Sequence, residues 1–231
     1  YMVIYTVEII NINQEILNKL LLWSDLDEKT SKNFLNIKDS VRTMVGEILI
    51  RSIVAERLGI KQKQIKFKKN KYGKPYLEGY SNFNFNISHS GNLVVCALDE
   101  KPIGIDIEQV KNIEYKDVVK SFFSENEKNY VFNGDISLEL DKFYEIWTLK
   151  ESYLKCIGQG LSVPLNSFSI ELNNMEDIKV IFYSEYKDYK LKMFNIGSSY
   201  KMAVCSVNSE ISNNVIKIDG DILINSFLKE N

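Results

Sequence analysis

Residues 143–161 read FYEIWTLKESYLKCIGQGL, and their periodicity sets the fold class. Ile146, Leu149, Tyr153 and Ile157 recur at three- and four-residue spacing. That spacing predicts an amphipathic helix with its apolar stripe on a core, stopping near Gly158. Glu151 and Lys155 share a second face, with Trp147 one turn earlier. An i,i+4 Glu and Lys pair is also what a solvated helix face carries, so this helix alone leaves the pair's role open.

A comparable helix lies upstream. Residues 40–58 predict a long amphipathic helix ending at Gly59, fed by a polar connection that carries Lys29, Lys32, Lys38 and Arg42. Residues 3–10 alternate and are rich in β-branched and aromatic side chains, as a strand would be, and residues 14–23 predict a short helix. KNKYGKPYL carries a turn at 72–75. FNISHSGNLVVCAL (85–98) reads as strand, polar turn and strand, because SHSGN interrupts two apolar runs, and IGIDIEQV follows as a third run. Laid without gaps on FNIGSSYKMAVCSV (194–207), residues 85–98 coincide at FNI, one Ser, Val and Cys. Each copy follows a helix that ends in Gly. The expected fold is therefore α+β, with two pseudo-symmetric halves, each a small antiparallel sheet packed against a long helix. The halves fall at 1–102 and 103–231, with the seam near residues 101–104.

Composition bounds the function. At 231 residues, 45% hydrophobic and 12% aromatic, the chain has enough apolar material for an ordinary core. A net charge of −2 gives no overall pull towards nucleic acid or an anionic membrane. Three scattered cysteines, Cys96, Cys156 and Cys205, form neither a disulfide framework nor a CxxC zinc site. No apolar run reaches the roughly 18 to 20 residues that span a bilayer, and MVIYTVEII lacks the features of a signal peptide. The expected location is the cytoplasm.

The chemistry falls at the seam. In IGIDIE (103–108), Ile105 and Ile107 point to one face of a strand and Asp106 and Glu108 to the other. Two neighbouring carboxylates on an exposed strand are screened by water; flanked by isoleucines they call for a cation. Oxygen ligands favour magnesium, manganese or calcium over zinc, and Glu151 is a natural third ligand. His89, the single histidine, lies in SHSG beside Ser88. A lone histidine is commonly a hydrogen-bonded turn residue, and no GxSxG elbow accompanies Ser88. Histidine, lysines, arginines and a metal site would together suit a diphosphate ligand.

GKPYL (73–77), FNISHSG (85–91), IGIDIE (103–108), FFSENE (122–127) and WTLKESYLKCIGQGL (147–161), in this order, resemble a 4′-phosphopantetheinyl transferase of the Sfp type. The resemblance covers most of the chain and is weakest before Lys29 and after Asn208. It implies transfer of the phosphopantetheine arm of coenzyme A to a serine of an acyl or peptidyl carrier protein, with release of adenosine 3′,5′-bisphosphate. Asp106, Glu108 and Glu151 match magnesium ligands, with manganese as a substitute. His89 and Lys155 match residues on the diphosphate, and Gly73, Lys74, Pro75 and Ser88 match the nucleotide pocket. Arg42 and Thr43 match an RT pair at the adenine end, and Lys29 and Lys32 match lysines on the 3′-phosphate. Glu151, Lys155 and His89 are the implied catalytic residues. Residues 110–123 would face the carrier, and the protein would act as a monomer, without nucleic acid or membrane partners. A non-catalytic coenzyme A or carrier-binding protein and a metal-dependent nuclease are the competing readings; the near-neutral charge disfavours the nuclease.

Overall fold

The computed structural model describes residues 2–9, 12–23, 37–183, 185–207 and 210–230. Lys29 and Lys32 lie outside the described residues. The chain opens with β1 (Val3–Glu8), α1 (Gln14–Trp23) and the long helix α2 (Ile37–Leu58). Strands β2 (Phe67–Lys69), β3 (Pro75–Leu77), β4 (Asn84–Ser90), β5 (Leu93–Asp99) and β6 (Ile103–Gln109) follow. Next come α3 (Tyr115–Phe122), α4 (Glu125–Phe132) and α5 (Glu139–Ile157), then β7 (Phe168–Asn174), β8 (Asp177–Phe182) and β9 (Glu185–Lys187). β10 (Lys190–Phe194), β11 (Tyr200–Ser206), β12 (Val215–Asp219) and α6 (Gly220–Glu230) complete the order.

Two sheets carry the architecture, one ordered β12-β1-β5-β4 and the other β10-β11-β6. In each, an opening strand pairs antiparallel with the last strand of a hairpin, β1 with β5 and β6 with β11. Alternation along these strands divides their side chains between two faces. Val3, Tyr5, Val7, Val94, Cys96 and Leu98 pack with Val45, Ile48 and Leu49 of α2. Ala203, Cys205 and Leu191 pack with Ile146, Leu149 and Tyr153 of α5. The opposite faces meet each other, with Ile4, Val95, Ala97, Ile103, Ile105, Ile107, Met202 and Val204 forming a third core between the sheets. The layers thus run helix, sheet, sheet, helix, and each fully buried aliphatic side chain contributes roughly 1.5–3 kcal/mol.

Three expectations differ in detail. The single parallel pair among the described strands joins β1 to β12, and α6 adds Leu223, Ile224 and Phe227 to the core under α2. The C-terminal segment therefore packs on the first sheet, although a division at 102 would place it with the second half. The hairpins also differ in register: Phe85 pairs with Leu98, whereas Phe194, the last residue of β10, pairs with Met202 beside the turn. Cys96 and Cys205 are both buried, on β5 and β11, but the FNI triplets sit differently: residues 85–87 lie within β4, whereas Asn195 and Ile196 follow the end of β10. Finally, SHSGN is not a five-residue turn. β4 continues through Ser90, which pairs with Leu93, so only Gly91 and Asn92 form the loop. Gly91 has φ of 58°, a left-handed conformation that glycine adopts without strain.

α5 begins at Glu139 and ends on Gly158, whose N–H donates to the Leu154 carbonyl at 3.0 Å. Its close approach to β6 explains Gly104. A Cβ there would lie 2.0 Å from the Ser152 carbonyl oxygen and 2.3 Å from the Cys156 nitrogen, so only a residue without a side chain allows this contact.

Candidate active site

Glu151 and Lys155 lie on the side of α5 near Asp106, which contacts Lys155 and whose charge acts on Glu151. The i,i+4 ion pair between them is not what forms. Lys155 Nζ lies 2.5 Å from Asp106 Oδ1 and donates to Ser88 Oγ at 3.0 Å. Ser88 Oγ in turn donates to Asp106 Oδ1 at 3.0 Å. A fully buried carboxylate draws the ammonium more strongly than the half-buried Glu151 does, because less water competes for it. Glu108 Oε2 accepts a hydrogen bond from Ser90 Oγ at 2.8 Å.

Burial disfavours the charged form of all three acids, and the Asp106 charge adds to this at Glu108 and Glu151. Burial raises the Asp106 pKa against the opposing pull of Lys155. Burial and the Asp106 charge raise that of Glu108. Burial, then Asp106, raises that of Glu151, with Lys155 opposing. Asp106 Oδ2 is buried and accepts no hydrogen bond, so its desolvation is uncompensated unless positive charge meets it. That orphaned oxygen and the all-carboxylate donor set fit a hard divalent cation such as magnesium or manganese. As the side chains stand, Lys155 occupies Asp106 Oδ1. Among the described residues no three His, Cys, Asp or Glu side chains are gathered closely enough to enclose an ion.

The first sheet supplies the other wall. His89, on β4 rather than in a turn, pairs across the hairpin with Val94 and places Nδ1 3.9 Å from Asp39 Oδ1. Burial lowers its pKa, Asp39 opposes this, and Arg42 and Lys155 add to the lowering, which favours the neutral ring. Arg42 donates from Nη1 to the Gly91 carbonyl at 2.9 Å and from Nη2 to Asp39 Oδ1 at 3.0 Å, while its buried Nε has no partner. Thr43 is exposed and its hydroxyl donates to the Asp39 carbonyl at 3.0 Å. Gly73, at φ of 93°, forms the turn before Lys74 and Pro75. Lys74 reaches across the seam, donating from Nζ to the carbonyls of Ile103 at 3.0 Å and Cys156 at 3.2 Å; burial lowers its pKa.

A cleft of about 190 Å³ opens here between Tyr72, Lys74, Pro75 and Asn86 on one side and Glu151 and Lys155 of α5 on the other; Asp106 and Glu108 lie beside it and do not line it. A larger cavity of about 680 Å³ lies on the far side of Lys74, among Phe85, Tyr153 and Tyr189, and none of the three carboxylates lines it. The sequence reading overlooked Ser90 and Asn86. Their signal was the polar alternation Asn86, Ser88, Ser90 at a strand period of two, which a turn assignment hides.

Family models match the two parts of the chain in succession. Residues 12–101 match the model described as 4′-phosphopantetheinyl transferase, N-terminal, and residues 102–205 the 4′-phosphopantetheinyl transferase superfamily. The chain is 34% identical over 193 residues to 4′-phosphopantetheinyl transferase Sfp of Bacillus subtilis (strain 168), covering 84% of this chain and 86% of the relative. It is 37% identical over 198 residues to 4′-phosphopantetheinyl transferase gsp of Aneurinibacillus migulanus, covering 84% and 81%. A solved holo-(acyl-carrier-protein) synthase from Bacillus anthracis, in complex with coenzyme A, overlaps 45% of this chain and 92% of its own at a TM-score of 0.37 and 20% identity. With both parts matched and relatives above 30% identity across most of its length, the chain belongs to the 4′-phosphopantetheinyl transferase superfamily.

Proposed function

We infer that this protein transfers the 4′-phosphopantetheine arm of coenzyme A to a serine hydroxyl of an acyl or peptidyl carrier protein and releases adenosine 3′,5′-bisphosphate. The observation that supports the site assignment is the uncompensated, buried Asp106 Oδ2, whose carboxylate meets Lys155, a residue that with Glu151 lines the neighbouring cleft. Asp106, Glu108 and Glu151 would hold magnesium or manganese, which supplies charge neutralisation of the diphosphate.

The serine oxygen attacks the phosphorus that bears pantetheine, and the bond to the oxygen bridging the two phosphates breaks. Glu151 takes the hydroxyl proton directly or through water. Lys155 offsets negative charge on the bridging or departing oxygen, and His89 donates a hydrogen bond to the diphosphate. Gly73, Lys74, Pro75 and Ser88 line the nucleotide pocket, Arg42 and Thr43 lie at the adenine end, and Lys29 and Lys32 take the 3′-phosphate. The carrier meets residues 110–123, where α3 presents Phe122, which is 45% exposed. The protein acts as a monomer in the cytoplasm, since one chain supplies both walls of the cleft; no helix among the described residues is long and apolar enough to cross a membrane.

Mass spectrometry of an apo-carrier incubated with the protein, coenzyme A and magnesium tests this reading. Addition of one phosphopantetheine group is the expected result. An unchanged carrier with coenzyme A bound to the protein would identify a binding module instead, and nicking of plasmid DNA a nuclease.

A further inference from the structure

β6 is an end strand of its sheet, with β11 on one edge. Alternate residues of a strand turn their N–H groups to the same edge, so Ile105, Ile107 and Gln109 form one row. That row is capped by alternate side chains of β4. Asn86 Oδ1 accepts from Ile105 N–H at 2.8 Å, Ser88 Oγ from Ile107 N–H at 3.3 Å and Ser90 Oγ from Gln109 N–H at 3.0 Å. A hydroxyl that accepts still has a proton to donate. Ser88 gives its proton to Asp106 Oδ1 and Ser90 gives its own to Glu108 Oε2. Two of the three rungs that join the sheets, Ser88 and Ser90, therefore also hold the carboxylates of Asp106 and Glu108.

We propose that Ser90 is a positioning residue for Glu108. Its hydroxyl is anchored to the β6 backbone through Gln109 and engages Oε2, leaving Oε1 as the oxygen available to a cation. This rests on the reading of Asp106, Glu108 and Glu151 as cation ligands. Ser88 is the less decisive case because it also touches Lys155, whereas Ser90 reaches Glu108 among the carboxylates of the cleft. Serine suits the position because one atom must both accept and donate. Alanine does neither, and threonine retains both capacities.

The test is Mn²⁺ binding at saturating coenzyme A, followed by the electron paramagnetic resonance signal of free Mn²⁺, with thermal unfolding alongside. The proteins compared are the parent, Ser90→Ala, Ser90→Thr and Asn86→Ala. Loss of a group that orients a metal ligand weakens affinity about 10–100-fold, which is the change expected for Ser90→Ala, with Ser90→Thr restoring most of it. Asn86→Ala removes a rung that touches no carboxylate but lines the cleft; with coenzyme A saturation verified for this variant by titration, it lowers the melting temperature and does not reproduce the Mn²⁺ loss of Ser90→Ala. Equal Mn²⁺ affinity in Ser90→Ala and the parent overturns the proposal. So does an equal loss in Asn86→Ala, which would make the ladder structural only. A parent that binds no Mn²⁺ removes the cation reading itself and this proposal with it, an outcome visible before any variant is compared.

Discussion

Lys150 and Glu127 form an ion pair closed off from solvent, with Nζ 2.7 Å from Oε1 and both side chains 0% exposed. Glu127 also accepts from Ile170 N–H at 2.7 Å, and its other oxygen accepts from Ser124 N–H, capping α4. Lys150 donates to the Phe168 carbonyl at 2.8 Å and lies 4.1 Å from the centre of the Phe168 ring. The pair ties α4, α5 and β7 together behind the cleft. Burial lowers the Lys150 pKa, and Glu127 opposes that shift.

Lys150→Met should therefore destabilise the protein by about 3–5 kcal/mol, because it leaves Glu127 buried without a counter-charge. Lys150→Met combined with Glu127→Leu should recover much of that loss. Chemical denaturation of the two variants checks both statements. A single variant as stable as the parent would mean that Glu127 is solvated or protonated at little cost.

Replacing Asp106, Glu108 or Glu151 by Ala should reduce transfer by more than about 100-fold, beyond the loss typical of a group that only orients a ligand. Excess chelator should reproduce the effect in the parent, and the circular dichroism of the variants should match it. Full transfer in chelator would exclude the cation assignment.

His89→Ala should weaken coenzyme A roughly 10- to 150-fold, the value of one hydrogen bond to a charged partner. It should slow transfer without abolishing it, since no proton passes through the ring in the proposed step. Titration calorimetry gives the affinity and single-turnover transfer gives the rate. An unchanged affinity would leave His89 as a strand residue that only packs beside Asp39.

Glu151 gives a pH dependence with a definite sign. Its folded pKa is raised, so in the metal-free protein its contribution to stability is fully present below the unfolded value near 4.5 and is lost as pH rises through the folded value. Glu151→Gln removes that loss. Without metal, the variant should melt a few degrees above the parent at pH 8, since about 1 kcal/mol moves Tm by roughly 2–4 °C in a chain of this size. The difference should vanish near pH 4. A difference independent of pH would place its origin outside the charge of Glu151.

Local pattern made much of this legible. Ile146, Leu149 and Tyr153 are buried at the helical spacing read from the sequence, and Ile105 and Ile107 face the core while Asp106 meets Lys155 and Ser88. The course of β4 was not legible, because Ser88, His89 and Ser90 lack the apolar character by which a strand is recognised. Their hydrogen-bond partners on β6 are some twenty residues away, so the compensation appears only after folding. For the same reason WTLKES does not reveal that Lys150 and Glu151 serve opposite sides of one helix. The partner of Lys150 sits in FFSENE, and only the turn of the helix separates a buried strut from a member of the cleft.

The parallel pairing of β1 with β12 governs the time course of folding as the chain is made. Ile4 finds its partner in Val215, nearly the whole chain later. At ribosomal speeds of about 5–20 residues per second, β1 is synthesised roughly 10–40 s before that partner. During that interval an edge of the first sheet stands open to pairing with any neighbouring nascent chain, and the hazard ends when β12 closes it.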